Sequence, residues 1–154
     1  MGTQTIPLDY TNSLLYEMEK AFWDERGKGA RFRMTTIGRE YFVQKCLPRL
    51  DTAEIEPILD TVAAVIREGG IAAQVSYNRE DNLLKIRIES CLHRPVEERM
   101  LACGVEPFVC MPANLIALAL EEKLDRPVEL AEIKPVDGAC ELLLVLFEKR
   151  PSLA

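Results

Sequence analysis

The chain has 154 residues, 48% of them hydrophobic and 29% charged, a balance typical of one globular domain with its own core, and we treat residues 1–154 as a single domain. Its formal net charge of −6 disfavours phosphate backbones, so we expect no nucleic-acid partner. No apolar run reaches the roughly 18 residues that span a bilayer, and no signal-peptide pattern follows Met1. We therefore expect a cytoplasmic protein with reduced thiols and no membrane partner.

The first predicted element is an amphipathic helix over residues 9–25. Its apolar side chains recur at helical spacing and are Leu14, Leu15, Met18 and Phe22. A single core of this size need not cover every apolar helix face, and uncovered faces tend to become interfaces. We therefore expect a homodimer formed through this helix. The alternative is that the helix folds back on the sheet of its own chain.

Two further helices are predicted before residue 69. One covers residues 36–46 and should stop at Pro48. The other has Asp51 as its N-cap and ends at the glycine pair 69–70. Within it, Pro57 requires either a kink in the first turns or a regular helix that starts just before it.

From residue 70 onward, apolar alternation predicts strands. Residues 9–68 form the helical N-terminal part, and residues 70–148 form an α+β part. Strands are predicted at 71–77, 83–89, 128–133 and 140–147, with helices at 95–101 and 112–124. Because residues 142–146 are apolar on both faces, the last strand should be central. The order predicts an α+β fold in which an antiparallel β-sheet of about four strands is packed with helices.

Four of the five cysteines and the only histidine lie in the second half of the chain. Thiolates and imidazole are the ligands that zinc prefers, and thiolates also hold iron–sulfur clusters. The spacing lacks the C-x2-C knuckle of strong zinc patterns, so buried structural thiols and a reactive thiol stay open. Cys110, at a predicted helix N-terminus, is expected to have a lowered pKa.

The C-terminal third resembles the 4-vinyl reductase domain and hydrocarbon-binding protein-like family. The resemblance is carried by Phe108-Val109-Cys110, an apolar helix, and the segments 124–128, 132–135 and 137–140. It covers about residues 70–148. It implies an α+β fold related to transport-complex subunits of the TRAPP type, frequent dimerisation, and in some members the sensing of hydrocarbons or aromatic compounds.

The resemblance also implies a metal site. Sensor members hold zinc with a cysteine before the helix, a glutamate in the next strand and two further cysteines. Cys110, Glu132 and Cys140 match, whereas the remaining position is Pro135, which cannot ligate. The cysteine run also resembles the effector domain of iron–sulfur-responsive repressors. We therefore predict zinc, or alternatively an iron–sulfur cluster, bound by ligands drawn from Cys91, His93, Cys103, Cys110, Glu132 and Cys140.

These patterns favour a small-molecule- or metal-binding sensor-type domain with a Cys-rich metal site beside an apolar pocket between sheet and helices. The expected ligand is a hydrophobic or aromatic small molecule. Two alternatives stay open: a cysteine-dependent small-ring hydrolase that uses Cys110, and a non-enzymatic interaction or scaffold protein. We expect a binding protein rather than an enzyme, because P-loop, G-x-S-x-G and H-E-x-x-H motifs are missing. The pair Glu97/Glu98 is interpreted as a solvated helix face.

Overall fold

Helices and one antiparallel sheet make up the parts of the chain that the computed structural model describes, residues 5–30 and 34–148. Within them, the helices are α1 (Leu8–Arg26), α2 (Arg39–Tyr41), α3 (Ile55–Glu68), α4 (Arg94–Ala102) and α5 (Met111–Leu124). The strands are β1 (Gln74–Glu80), β2 (Leu83–Glu89), β3 (Val128–Val136) and β4 (Ala139–Leu146). The predicted α+β class and the four-stranded antiparallel sheet are confirmed.

The strand order is β1-β2-β4-β3, and every neighbouring pair is antiparallel. As predicted, β4 lies inside the sheet, and its Leu142, Leu144 and Leu146 are buried. A β-bulge interrupts the pairing of β3 with β4 between Leu130 and Glu132. Because the bulge adds one residue to β3, it changes which side chains of this strand face the core.

Two helices cover the inner face of the sheet. The helix α3 contacts β1 and α5, while α5 lies across β3. The apolar face of α3 is built from residues at helical spacing, among them Ile58, Val62 and Ile66, which are fully buried. These contacts form the main hydrophobic core of the described residues.

The helix α1 packs against α4 rather than against the sheet. A second, smaller cluster of buried apolar residues joins it to the loop after α4, and Met100 and Phe108 belong to this cluster. The outward side of α1 keeps Leu14 and Met18 exposed. The predicted helix 9–25 is confirmed, and its apolar residues divide between the interior of this chain and the solvent.

The helices near residues 36–57 differ from their predictions in detail. The second one begins only at Arg39, because Gly38 has a φ of 99° that a right-handed helix cannot contain, and it continues as a π-helix over Phe42–Cys46. The prediction of Asp51 as N-cap is wrong, since α3 begins at Ile55. The alternative for Pro57 is confirmed: it lies in the first turn, where its missing N–H breaks no intrahelical hydrogen bond.

Within residues 5–30 and 34–148, none of the helices combines the length and the apolar character that crossing a lipid bilayer requires.

Candidate functional site

A mainly apolar cavity of about 350 Å³ lies between α1, α4 and the start of α5. Its walls include Leu15, Phe22, Val96 and Val109, and Met18 lines it while remaining largely exposed to solvent. The lining residues come from helices and loops. This cavity therefore lies away from the predicted position between the sheet and the helices, where a smaller space of about 210 Å³ separates part of α5 from β3.

Local sequence explains how α1 and α4 face the cavity. Leu15, Met18 and Phe22 recur every three or four residues of α1, so they share one side of the helix. On α4, adjacent Val96 and Glu97 both face inward. Two amphipathic helices from opposite halves of the chain thus pack side by side and form the cavity wall.

Two carboxyl groups reach this cavity. Glu97 on α4 is only 4% exposed and accepts a hydrogen bond of 2.7 Å from the Cys140 thiol. Burial raises the pKa of Glu97, although the Cys140 hydrogen bond and the positive charge of Arg94 oppose this increase. Burial, and then the neighbouring Glu97 carboxyl, raise the pKa of Glu19 on α1 to about 7. The interpretation of Glu97 as a solvated residue is wrong.

His93 lies at the N-cap position of α4 and also lines the cavity. Burial lowers the pKa of its imidazole, so the neutral form is favoured. Its Nδ1 atom is 3.5 Å from the side-chain oxygen of buried Asn12, and Asn12 donates a 3.0 Å hydrogen bond to the Leu92 carbonyl. These contacts attach α1 to the loop before α4 and orient the imidazole.

Three of the predicted ligands, Cys91, Cys110 and Cys140, lie within electrostatic range of one another and of Glu97. Burial is the main cause that raises the pKa of each thiol. The predicted lowering for Cys110 is wrong: its burial outweighs the backbone N–H of Ala113, which acts in the opposite direction. Protonated, buried thiols are weak nucleophiles.

The other predicted ligands lie apart or in different surroundings. Glu132 pairs with Leu143 beyond the bulge and is exposed on the outer face of the sheet, opposite to the buried Cys140. Cys103 is exposed, with its sulfur 3.0 Å from the Tyr16 hydroxyl oxygen.

In the described part of the chain, no three or more His, Cys, Asp or Glu residues are arranged to hold a metal ion. The residues in this arrangement therefore do not fit a zinc ion or an iron–sulfur cluster, which need three or four converging ligands. The metal site stays a prediction.

Sequence reasoning found three thiols and His93 at this site but missed both carboxyls. For Glu97 a signal was present: Val96, Glu97 and Met100 share one helix face, and that face also carries the apolar side chains of α4. For Glu19 a signal was also present: it lies four residues after Leu15 and three before Phe22, on the apolar side of α1.

Among solved structures, the chain is similar to the crystal structure of the phenol-responsive sensory domain of the transcription activator PoxR with phenol, with a TM-score of 0.60. The sequence identity is 16%, and the alignment covers 95% of this chain and 79% of that chain. At this identity the likeness concerns the fold. No protein-family model and no curated protein matches the sequence.

Proposed function

We propose that this chain is a ligand-binding, sensor-type domain whose small-molecule ligand occupies the cavity between α1, α4 and α5. The cavity itself carries the proposal. Its volume of about 350 Å³ falls within the range of small-molecule sites. Mainly apolar walls with a few polar groups are also typical of such sites. The fold similarity to a phenol-responsive sensory domain supports the same function.

The chemistry of the walls favours a ligand with an apolar, ring-containing body and one polar end. Leu15, Phe22 and Val109 offer apolar contacts, and ring–ring contact with Phe22 would add to the burial energy. Glu19, His93 and Glu97 offer hydrogen-bonding groups for one polar end. A ligand that is wholly apolar would leave those groups without a partner, which costs affinity.

The only tryptophan provides the assay. Trp23 packs in the same cluster as the cavity residue Phe22, and its ring centroid lies 5.5 Å from that of Phe108. Titrating phenol and other single-ring aromatics should therefore produce a saturable change in Trp23 fluorescence. Calorimetry on the same samples gives the stoichiometry.

A pair of matched variants locates the binding. Val109→Phe inserts a ring into the cavity and should weaken binding about tenfold or more. Val43→Phe makes the same change at an exposed position outside the cavity and should leave affinity unchanged. Absence of saturable binding by every neutral and charged single-ring compound tested would refute the proposal, as would unchanged affinity in Val109→Phe.

The two other predicted functions have less support. A cysteine hydrolase needs a thiolate, whereas burial raises the pKa of Cys110. A scaffold protein has no need of a cavity with inward-facing carboxyls. A metal bound near Cys91, Cys110 and Cys140 is a separate proposal. It is supported by the proximity of the three thiols, and it requires them to rearrange because Cys140 donates to Glu97.

A further inference from the structure

The charges that face the cavity are unbalanced. Glu19 and Glu97 reach it from two different helices, α1 and α4, and the carboxyl of Glu97 affects that of Glu19. Lysine and arginine are absent from the described residues that line it. The basic residue that influences Glu97 is Arg94, which pairs with Glu98 at 2.8 Å and donates to the Val136 carbonyl at 2.6 Å.

The two carboxyls differ in the hydrogen bonds that they accept from the protein. Glu97 accepts a hydrogen bond from the Cys140 thiol. Within the described residues, Glu19 accepts no hydrogen bond, although it is half-buried and lines the cavity. A carboxylate with apolar neighbours and no partner costs free energy, which a bound cation would offset.

The remaining walls also suit a positive charge. Phe22 presents an aromatic ring that can lie against a cation, and such contacts strengthen when water is excluded. The polarizable thioethers of Met18, Met34 and Met111 line the same space and adapt to different apolar shapes.

We infer that the ligand of this cavity is a small primary amine with an apolar body, bound as its ammonium ion between Glu19 and Glu97. The inference rests on the proposed function and specifies the class of ligand. The ammonium group supplies the donors that Glu19 lacks, while the apolar body occupies the space beside Phe22 and Val109.

Three probes of equal size separate charge from shape. Benzylamine, benzyl alcohol and benzoate share one ring and differ in charge, and each can be titrated into the wild-type protein at about pH 8, above the pKa of about 7 of Glu19, and at physiological salt. Benzylamine should bind about tenfold or more tightly than benzyl alcohol, because a charge-assisted hydrogen bond replaces a neutral one. Benzoate should bind most weakly, because both carboxyls repel it.

Two variants on α1 assign the effect to one residue. Glu19→Gln should weaken benzylamine binding about tenfold or more and change benzyl alcohol binding by about twofold or less. Glu17→Gln removes the same charge from an exposed position of the same helix and should change neither. Because Glu17→Gln and Glu19→Gln change the overall net charge of −6 by the same amount, comparing them separates the local effect of Glu19 from that of the net charge.

Each result has a distinct meaning. If benzyl alcohol binds as tightly as benzylamine, the amine class is wrong while the cavity keeps its proposed function. If benzylamine is preferred but Glu19→Gln binds it like wild type, the amine does not use this carboxyl and the inference is overturned. If none of the three probes binds, the proposed function fails together with the inference. The comparison of the three probes uses the wild-type protein alone, so it does not depend on whether a variant folds correctly.

Discussion

Replacing Glu19 with glutamine should change how the stability of this protein depends on pH. In the folded protein, burial and the neighbouring Glu97 raise the pKa of Glu19 from 4.5 to about 7. Below pH 4.5 the carboxyl is protonated in both the folded and the unfolded chain, so it carries no penalty. Between pH 4.5 and about 7 the unfolded chain has released this proton while the folded chain keeps it, so the folded state loses stability across this range, and the loss is complete above about pH 7.

The size of this loss follows from the two pKa values. A rise from 4.5 to about 7 corresponds to at most about 3 kcal/mol of unfolding free energy. Because Glu19 keeps partial contact with solvent, screening reduces the value, and we expect about 1–2 kcal/mol. The glutamine side chain does not titrate, so Glu19→Gln lacks this pH-dependent loss of stability. It should therefore be more stable than wild type by about this amount near pH 8 and by much less near pH 4.5.

Urea unfolding followed by Trp23 fluorescence measures both free energies, and comparing m-values checks that the unfolded states are equivalent. Glu17→Gln, exposed on the same helix, is the control and should show nearly the same stability difference from wild type at both pH values. The reasoning is refuted if the difference between Glu19→Gln and wild type does not grow between about pH 4.5 and about pH 8.

Three further measurements test other features. Cys140→Ala should lose about 1–3 kcal/mol more unfolding free energy than Cys46→Ala. Both variants remove a buried thiol, but only Cys140→Ala leaves Glu97 without its hydrogen-bond donor. Equal losses would contradict this role of Cys140. Light scattering should give a mass near twice 17.4 kDa. Leu14→Glu changes an exposed side chain of α1 and should reduce the mass to the monomer value. A monomeric wild type would rule out the dimer. Elemental analysis of protein purified without added metal tests the metal prediction: stoichiometric zinc or iron, lost when Cys110 and Cys140 are both changed to serine, would support it, and metal-free protein would reject it.

The order of helices and strands was predictable because each element has a local periodicity. The central position of β4 followed from its apolar side chains on both faces. Helix starts were less predictable. Asp51 has the right side chain for an N-cap, but a good capping residue stabilises a helix only where the backbone already turns, and the turn begins four residues later at Ile55.

The candidate site was only half predictable, because its environment is created by contacts between distant segments. Asn12 and Leu92, 80 positions apart in sequence, are joined by one hydrogen bond that fixes α1 beside α4. That packing buries Glu97 and leaves its neighbour Glu98 exposed, a difference that charge alone does not reveal. Similarly, the face on which Glu132 lies depends on a bulge, and one inserted residue reverses the alternation.

The same bulge also protects the sheet against uncontrolled growth. Among the described strands β3 is last in the sheet order, and a regular strand at such a position can act as a template for pairing with another molecule. The bulge near Leu130 and the proline at position 135, which has no N–H to donate, make the backbone of β3 irregular at two places within a few residues. An ordered ladder of strands between molecules is thus disfavoured along this strand.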